Sequence, residues 1–323
     1  MLRHVTFFRL VSIITTLKMT FSMLRGRPRI ILLGDSITQL SFSSPLGFGA
    51  YLADVYQRRA DVLNRGFSGY NTNWILEHLR SDEGLLDVFG ALPISEGEDN
   101  PAHNKNDDTA SKSEDQVLLV TVFFGANDAS CALLNERQHV PVEQYKSNLK
   151  EIASIIKKTC PHAKIIFIAP PPIHHDARLK YQIDRYGKDN ATGKLERTME
   201  MSGKYATAAC EVSRELSVPC LNLWSDMQAS APGEKWHDFL SDGLHLSPSG
   251  NKFVAQGIEK LILENFPDLA VTPCAITGFF GNSGSSCTGI KQAGPWHDEI
   301  TDSKNFIHSF KKRKVCSKSG ESD

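Results

Sequence analysis

Ile30-Ile31-Leu32-Leu33-Gly34-Asp35-Ser36-Ile37-Thr38-Gln39 sets the reading of the whole chain. An unbroken apolar run leads straight into Gly-Asp-Ser. Such a run suits a strand covered on both faces, as in a parallel sheet, and the small polar triplet marks the turn at its end. A strand over Arg29–Leu33 therefore carries Ser36 to its tip, where a hydroxyl can face a cleft.

Outward from this strand the pattern alternates. Gly47–Arg59 places Phe48, Tyr51, Leu52, Val55 and Tyr56 at helical spacing, and Ala60–Asn64 reads as a short strand. Asn71 is placed to N-cap a helix running through Leu79. Val117–Phe124 is apolar and β-branched, fit for a central strand. Pro141 opens a helical pattern over Val142–Lys158. Lys164–Ala169 is the next strand, stopped by Pro170-Pro171-Pro172; a helix over Arg197–Leu216, a strand over Val218–Leu223 and a helix over Ser249–Asn265 follow. Strands alternating with helices imply an α/β chain: a three-layer α/β/α sandwich around a five-stranded, mostly parallel sheet, spanning residues 28–266.

Right-handed crossovers align the C-terminal strand ends on one edge, where open α/β sheets bind ligands. Ser36, Gly69 and Asn127 each follow an expected strand, and a late loop with Asp242-Gly243-Leu244-His245 can reach the same edge. These residue types make a chemical set. A serine hydroxyl is a weak nucleophile at neutral pH and needs an adjacent base whose tautomer is fixed. His245 is the candidate base, and Asp242, three residues earlier, can accept from its Nδ1–H. That leaves Nε2 for the Ser36 proton. Attack on a carbonyl creates an oxyanion, for which the Ser36 and Gly69 backbone N–H groups and the Asn127 carboxamide are candidate donors.

Each block alone has an ordinary reading. Gly-Asp-Ser and Gly-x-Asn-Asp are common turn sequences, and Asp-x-x-His is equally a surface or capping pair. The four blocks in this order, each at a strand end or late loop, are far more specific. The chain resembles the GDSL, or SGNH, hydrolases, esterases named for their Ser, Gly, Asn and His blocks, here Ser36, Gly69, Asn127 and His245. Within them it is most similar to the isoamyl acetate-hydrolysing esterase branch. The text Leu33-Gly34-Asp35-Ser36-Ile37-Thr38-Gln39, Asn64-Arg65-Gly66-Phe67-Ser68-Gly69-Tyr70-Asn71-Thr72, Phe124-Gly125-Ala126-Asn127-Asp128-Ala129 and Asp242-Gly243-Leu244-His245-Leu246-Ser247 carries the likeness. The resemblance implies a flavodoxin-like SGNH fold and a serine esterase for short-chain, acetate-type esters. It implies a triad of Ser36, Asp242 and His245, an oxyanion hole of Ser36, Gly69 and Asn127, and neither cofactor nor metal. A carbohydrate O-acetyl esterase, an acyltransferase with the same machinery and a non-catalytic binding domain are the alternatives. The Gly-x-Ser-x-Gly elbow of α/β-hydrolases is absent.

Composition bounds the partners. The chain has 323 residues, 41% hydrophobic and 23% charged, with a formal net charge of -1, and nothing in this balance points to a polyanionic partner or an acidic solvating chain. A small-molecule ester is the expected partner, with no nucleic acid and no stable membrane insertion. Seven cysteines without a CxxC pair argue against a disulfide framework or Cys-type zinc site and for a reducing, cytoplasmic compartment. Residues 1–27 form a basic extension that also has the cast of an organelle import segment. Residues 93–116 hold seven acids without apolar periodicity and read as a solvated, disordered insertion; residues 267–323 form a Gly/Ser-rich and basic tail whose Lys311-Lys312-Arg313-Lys314 reads as solvated. Phe48, Tyr70, Trp74 and Trp236 are candidates for an acyl pocket, with core packing the rival reading for Phe48 and Trp74. Asp35 and Asp128 read as structural hydrogen-bonding groups. His174-His175-Asp176 reads as a polar loop after the proline stop.

Overall fold

The computed structural model describes residues 27–93, 117–189, 191, 193–194, 196–231, 233–271 and 289–290. The basic extension before Arg27, the acidic insertion beyond Pro93 and almost all of the tail lie outside the described residues. In chain order the elements are β1 (Arg29–Gly34), α1 (Ser36–Gln39), α2 (Phe48–Val55), β2 (Asp61–Gly66), α3 (Thr72–Leu79), α4 (Asp82–Phe89) and β3 (Val117–Phe123). There follow α5 (Val142–Thr159), β4 (Lys164–Ala169), α6 (His175–Tyr186), α7 (Met199–Glu215), β5 (Cys220–Asn222), α8 (Leu223–Ser230) and α9 (Pro248–Asn265). Short 3₁₀ turns cover Leu40–Phe42 and Gly233–Phe239.

The five strands form one sheet in the order β2-β1-β3-β4-β5, and every pairing is parallel. Successive side chains of a strand point to opposite faces, and the core divides accordingly. Ile31, Leu33, Val120, Val122, Ile165 and Phe167 pack on one face with Leu76, Leu149, Ile152 and Tyr205 from α3, α5 and α7. Ile30, Leu32, Leu119, Phe123, Ile166 and Ile168 pack on the other with Leu52, Val55, Val254 and Ile258 from α2 and α9. Two helical layers thus enclose the sheet, which is the expected α/β/α sandwich. Truncating one such residue, as in Ile152→Ala, would cost ~2–5 kcal/mol by lost burial and the cavity left behind.

The chain visits β2 on one side of β1 and then crosses to β3 on the other. Gly34, Gly66 and Phe123 lie in register at the end of these three strands. Neighbouring crossovers leave in opposite directions here, which opens a crevice at the strand ends. Ser36 starts α1 directly over it.

Several elements differ from expectation. The second strand is Asp61–Gly66, later than Ala60–Asn64, and the fifth contracts from Val218–Leu223 to Cys220–Asn222 because Leu223 already begins α8. Helices α4, α6 and α8 stand where the sequence reading placed none. His174-His175-Asp176 is not a loop: His174 takes the N-cap position and the other two residues open α6. Cys131, Cys210 and Cys220 are free thiols.

Candidate active site

Asp35 follows β1 and N-caps α1, its side chain accepting from Ile37 N at 2.9 Å. This cap fixes the backbone of Ser36 at the first helical position, where an N–H has no intrahelical partner. Ser36 Oγ lies 2.9 Å from His245 Nε2. His245 Nδ1 lies 2.7 Å from Asp242 Oδ2, and a carboxylate there requires the Nδ1–H tautomer, which leaves Nε2 to accept the serine proton. Asp242 Oδ1 accepts the backbone N–H groups of Leu244 and His245 at 3.0 and 2.8 Å, so one tight turn holds both partners. Burial pushes the Asp242 carboxyl up, but the hydrogen bond from His245 and the charges of His245 and Arg178 outweigh it and hold it well below the ordinary carboxylate range.

That turn depends on Gly243. Its φ is +85°, and a Cβ there would lie 2.4 Å from His174 O and 2.6 Å from Arg178 N at the start of α6. Both the left-handed backbone and the close approach require glycine. His174 N donates to Gly243 O at 3.0 Å, which docks the turn on α6.

Gly69 also has a left-handed φ of +84°, which turns the backbone after β2 toward the same crevice. Asn127 follows β3. Its Nδ2 donates to Tyr70 O at 2.8 Å, while its Oδ1 accepts from Arg197 Nη2 at 2.8 Å and Gln138 Nε2 at 3.2 Å. Gln138 Nε2 also donates to Gly69 O at 2.8 Å and so ties the two loops together. An amide has two N–H donors, so Asn127 keeps one for the cleft. Ser36, Gly69, Asn127 and His245 all open on one cleft of about 670 Å³. The structure thus brings Ser36, Gly69, Asn127, Asp242 and His245 together. A smaller pocket of about 230 Å³, with Ile37, Leu40, Pro45 and Leu246 in its wall, also borders His245.

The large cleft is not the aromatic pocket expected. Phe48 is fully buried in the core, Tyr70 packs on the core and edge-on to Trp74, and Trp236 packs beside His174 and His237. None of these lines the cleft, whose wall is largely polar and includes Asn135, Gln138, Arg185, Lys194 and Tyr181. Asp35 and Asp128 are fully enclosed; Asp128 Oδ1 accepts both Thr72 N at 2.9 Å and Thr72 Oγ1, fastening α3 to the end of β3. Among the described residues, no group of His, Cys, Asp and Glu is arranged to hold a metal ion. No helix among them is long and apolar enough to cross a membrane.

Sequence reasoning missed a polar layer behind these residues. Arg178 of α6 donates to Asp242 Oδ2 at 3.2 Å and to Glu196 Oε1 at 3.0 Å. Arg197 donates to Glu196 Oε1 at 2.9 Å, Ala126 O at 2.7 Å, Gln138 Oε1 at 2.8 Å and Asn127 Oδ1. The sole local signal was the adjacent pair Glu196-Arg197 just before Thr198, the N-cap of α7.

Against known families, the model described as GDSL-like lipase/acylhydrolase matches residues 30–258. The chain belongs to that family. It is 42% identical over 255 residues to a GDSL esterase/lipase of Arabidopsis thaliana, covering 76% of this chain and 91% of the plant protein. It is 38% identical over 239 residues to the isoamyl acetate-hydrolyzing esterase 1 homolog of Homo sapiens, covering 73% of this chain and 81% of the human one. Among solved structures, a lipase/acylhydrolase from Enterococcus faecalis aligns at 24% identity with a TM-score of 0.48, covering 73% of this chain and 95% of that one. As a GDSL family member the chain is a carboxylic ester hydrolase.

Proposed function

We propose that this esterase cleaves short-chain carboxylic esters, acetates first, through an acyl-enzyme formed on Ser36. The observation that supports the reading is the relay from Ser36 Oγ to His245 Nε2 at 2.9 Å and from His245 Nδ1 to Asp242 Oδ2 at 2.7 Å. His245 takes the Ser36 proton as Oγ attacks the acyl carbon, and returns it to the leaving alcohol. Asp242 keeps the imidazole oriented and stabilises its charged form. The N–H groups of Ser36 and Gly69 and the remaining Asn127 Nδ2–H bind the tetrahedral oxygen. Water, deprotonated by His245, then attacks the acyl-enzyme, releasing the acid and regenerating Ser36. Acetate preference is supported by the relatives that carry isoamyl acetate in their names and by the small apolar pocket beside His245.

The polar wall of the large cleft favours a second reading, an O-acetyl esterase acting on a carbohydrate alcohol. A panel of alkyl esters from acetate to octanoate, run beside an acetylated xylo-oligosaccharide on wild type and Ser36→Ala, tests both. The first reading expects turnover highest for alkyl acetates and a loss of ~10⁴–10⁶ in kcat for Ser36→Ala. Faster acetate release from the sugar selects the second. Full activity of Ser36→Ala contradicts both.

A further inference from the structure

We propose that Glu196 is a positioning residue that joins the triad carboxylate and the oxyanion amide into one charged unit through Arg178 and Arg197. The inference rests on the roles given above to Asp242 and Asn127. A single oxygen, Glu196 Oε1, accepts from Arg178 Nη2 at 3.0 Å and from Arg197 Nη1 at 2.9 Å. Arg178 reaches on through Nη1 to Asp242 Oδ2 at 3.2 Å, and Arg197 through Nη2 to Asn127 Oδ1 at 2.8 Å. The second oxygen, Oε2, is held by Gln182 Nε2, and the backbone carbonyl of Glu196 accepts from Cys131 N at 2.6 Å. The chain of contacts therefore runs unbroken from behind the base to the amide facing the cleft.

Charge explains why one carboxylate has to sit between the two cations. Arg178 and Arg197 are only 6% and 5% exposed, and buried charges require partners. Apart from Glu196, the hydrogen bonds of Arg197 go to uncharged oxygens: Ala126 O, Gln138 Oε1 and Asn127 Oδ1. Arg178 and His245 Nδ1 share Asp242 Oδ2, so they compete for the same lone pairs. Glu196 draws the Arg178 guanidinium back and leaves the shorter bond to the imidazole. At the other end, a cation on Asn127 Oδ1 forbids an amide flip, which would set NH₂ against a guanidinium. It also polarises the carboxamide, so the Nδ2–H left for the oxyanion becomes a better donor. Burial pushes the Glu196 carboxyl up, but Arg178 and Arg197 pull it further down, so it stays ionised at neutral pH.

The test is a double-mutant cycle on the full chain with p-nitrophenyl acetate, reading kcat and KM separately. Glu196→Gln keeps the shape and removes the charge. We expect it to lower kcat about 10- to 100-fold with KM within about threefold, and to cost clearly less when Asn127 is already Ala, where only the arm through Arg178 to Asp242 remains. Arg197→Lys, which keeps the charge and loses the planar fork, should show the same coupling to Asn127→Ala, and it stands in if Glu196→Gln does not fold. An equal loss in both backgrounds overturns the linkage while leaving the oxyanion role of Asn127 intact. An Asn127→Ala enzyme running at the wild-type rate overturns both.

Discussion

Two regions beside Ser36 each hold a pair of carboxyl groups, and their electrostatics are opposite. At the strand tips, Asp35 and Asp128 are wholly enclosed. Each uses one oxygen as a cap or anchor, and each has an Oδ2 without a hydrogen-bond partner among the described residues. Burial pushes these carboxyls up, to about 7 and about 6. In the region behind the cleft, Asp242 and Glu196 are also mostly buried, yet both lie below the ordinary range. Depth separates the pairs in part, the first being wholly enclosed and the second partly exposed. The larger difference in partners is that guanidinium groups touch the second pair, within 3.2 Å, and not the first. An acid at the strand tip serves the backbone, whereas one behind the cleft serves as a fixed negative charge.

Isosteric changes probe this contrast. Asp242→Asn removes the charge and the acceptor that sets the His245 tautomer, and kcat should fall by ~10⁴ with little change in KM. Asp35→Asn keeps the cap on Ile37 N, so its loss in kcat should stay under about tenfold. Comparable losses at the two positions, measured by steady-state ester hydrolysis, would erase the distinction.

The next effect lies in stability against pH. Asp35 binds its proton more tightly when folded, because burial raises it from its ordinary 3.8 to about 7. Its contribution is therefore complete below the lower value and is lost as pH rises through the higher one. Urea unfolding at steps from pH 4 to 8 should show wild type losing stability with rising pH relative to Asp35→Asn. The difference is at most ~4 kcal/mol, since relaxation and water entry soften burial. A parallel pH dependence in the two proteins would place Asp35 among ordinary ionised carboxylates. The smallest effect is local: Asp128→Ala strips Thr72 of a buried acceptor and should cost ~1–3 kcal/mol in the same unfolding measurement.

What the sequence disclosed follows from the same physics. β1, β3 and β4 are covered on both faces and announce themselves as apolar runs. β2 is an edge strand, Asp-Val-Leu-Asn-Arg-Gly, half-buried along most of its length, so its bounds shifted by up to two residues. α6 escaped notice because its buried positions are Arg178 and Gln182, which face the polar cleft and give no apolar period. α4 did carry signals that the periodicity reading passed over: the Ser81 cap, Asp82 and Glu83 in the first turn, and a left-handed Gly90 at its end. The residues at Ser36, Gly69, Asn127, Asp242 and His245 were legible because each sits in a short block at a strand end or turn. Arg178, Glu196, Arg197 and Gln138 were not. Apart from the adjacent Glu196–Arg197 pair and the nearby Asn135–Gln138 contact, their side-chain hydrogen bonds reach 11 to 71 residues away, and only the folded chain brings the charges together.

Both readings of the site need the Ser36 hydroxyl as the activated nucleophile. Treating the folded, active full chain with a fluorophosphonate and mapping the adduct by peptide mass spectrometry tests it directly. The expected result is a single stoichiometric adduct on Ser36, formed in parallel with loss of esterase activity and slowed by decades in His245→Ala. Inhibition with the adduct on another residue, or full turnover of ester with Ser36 unlabelled, would contradict it.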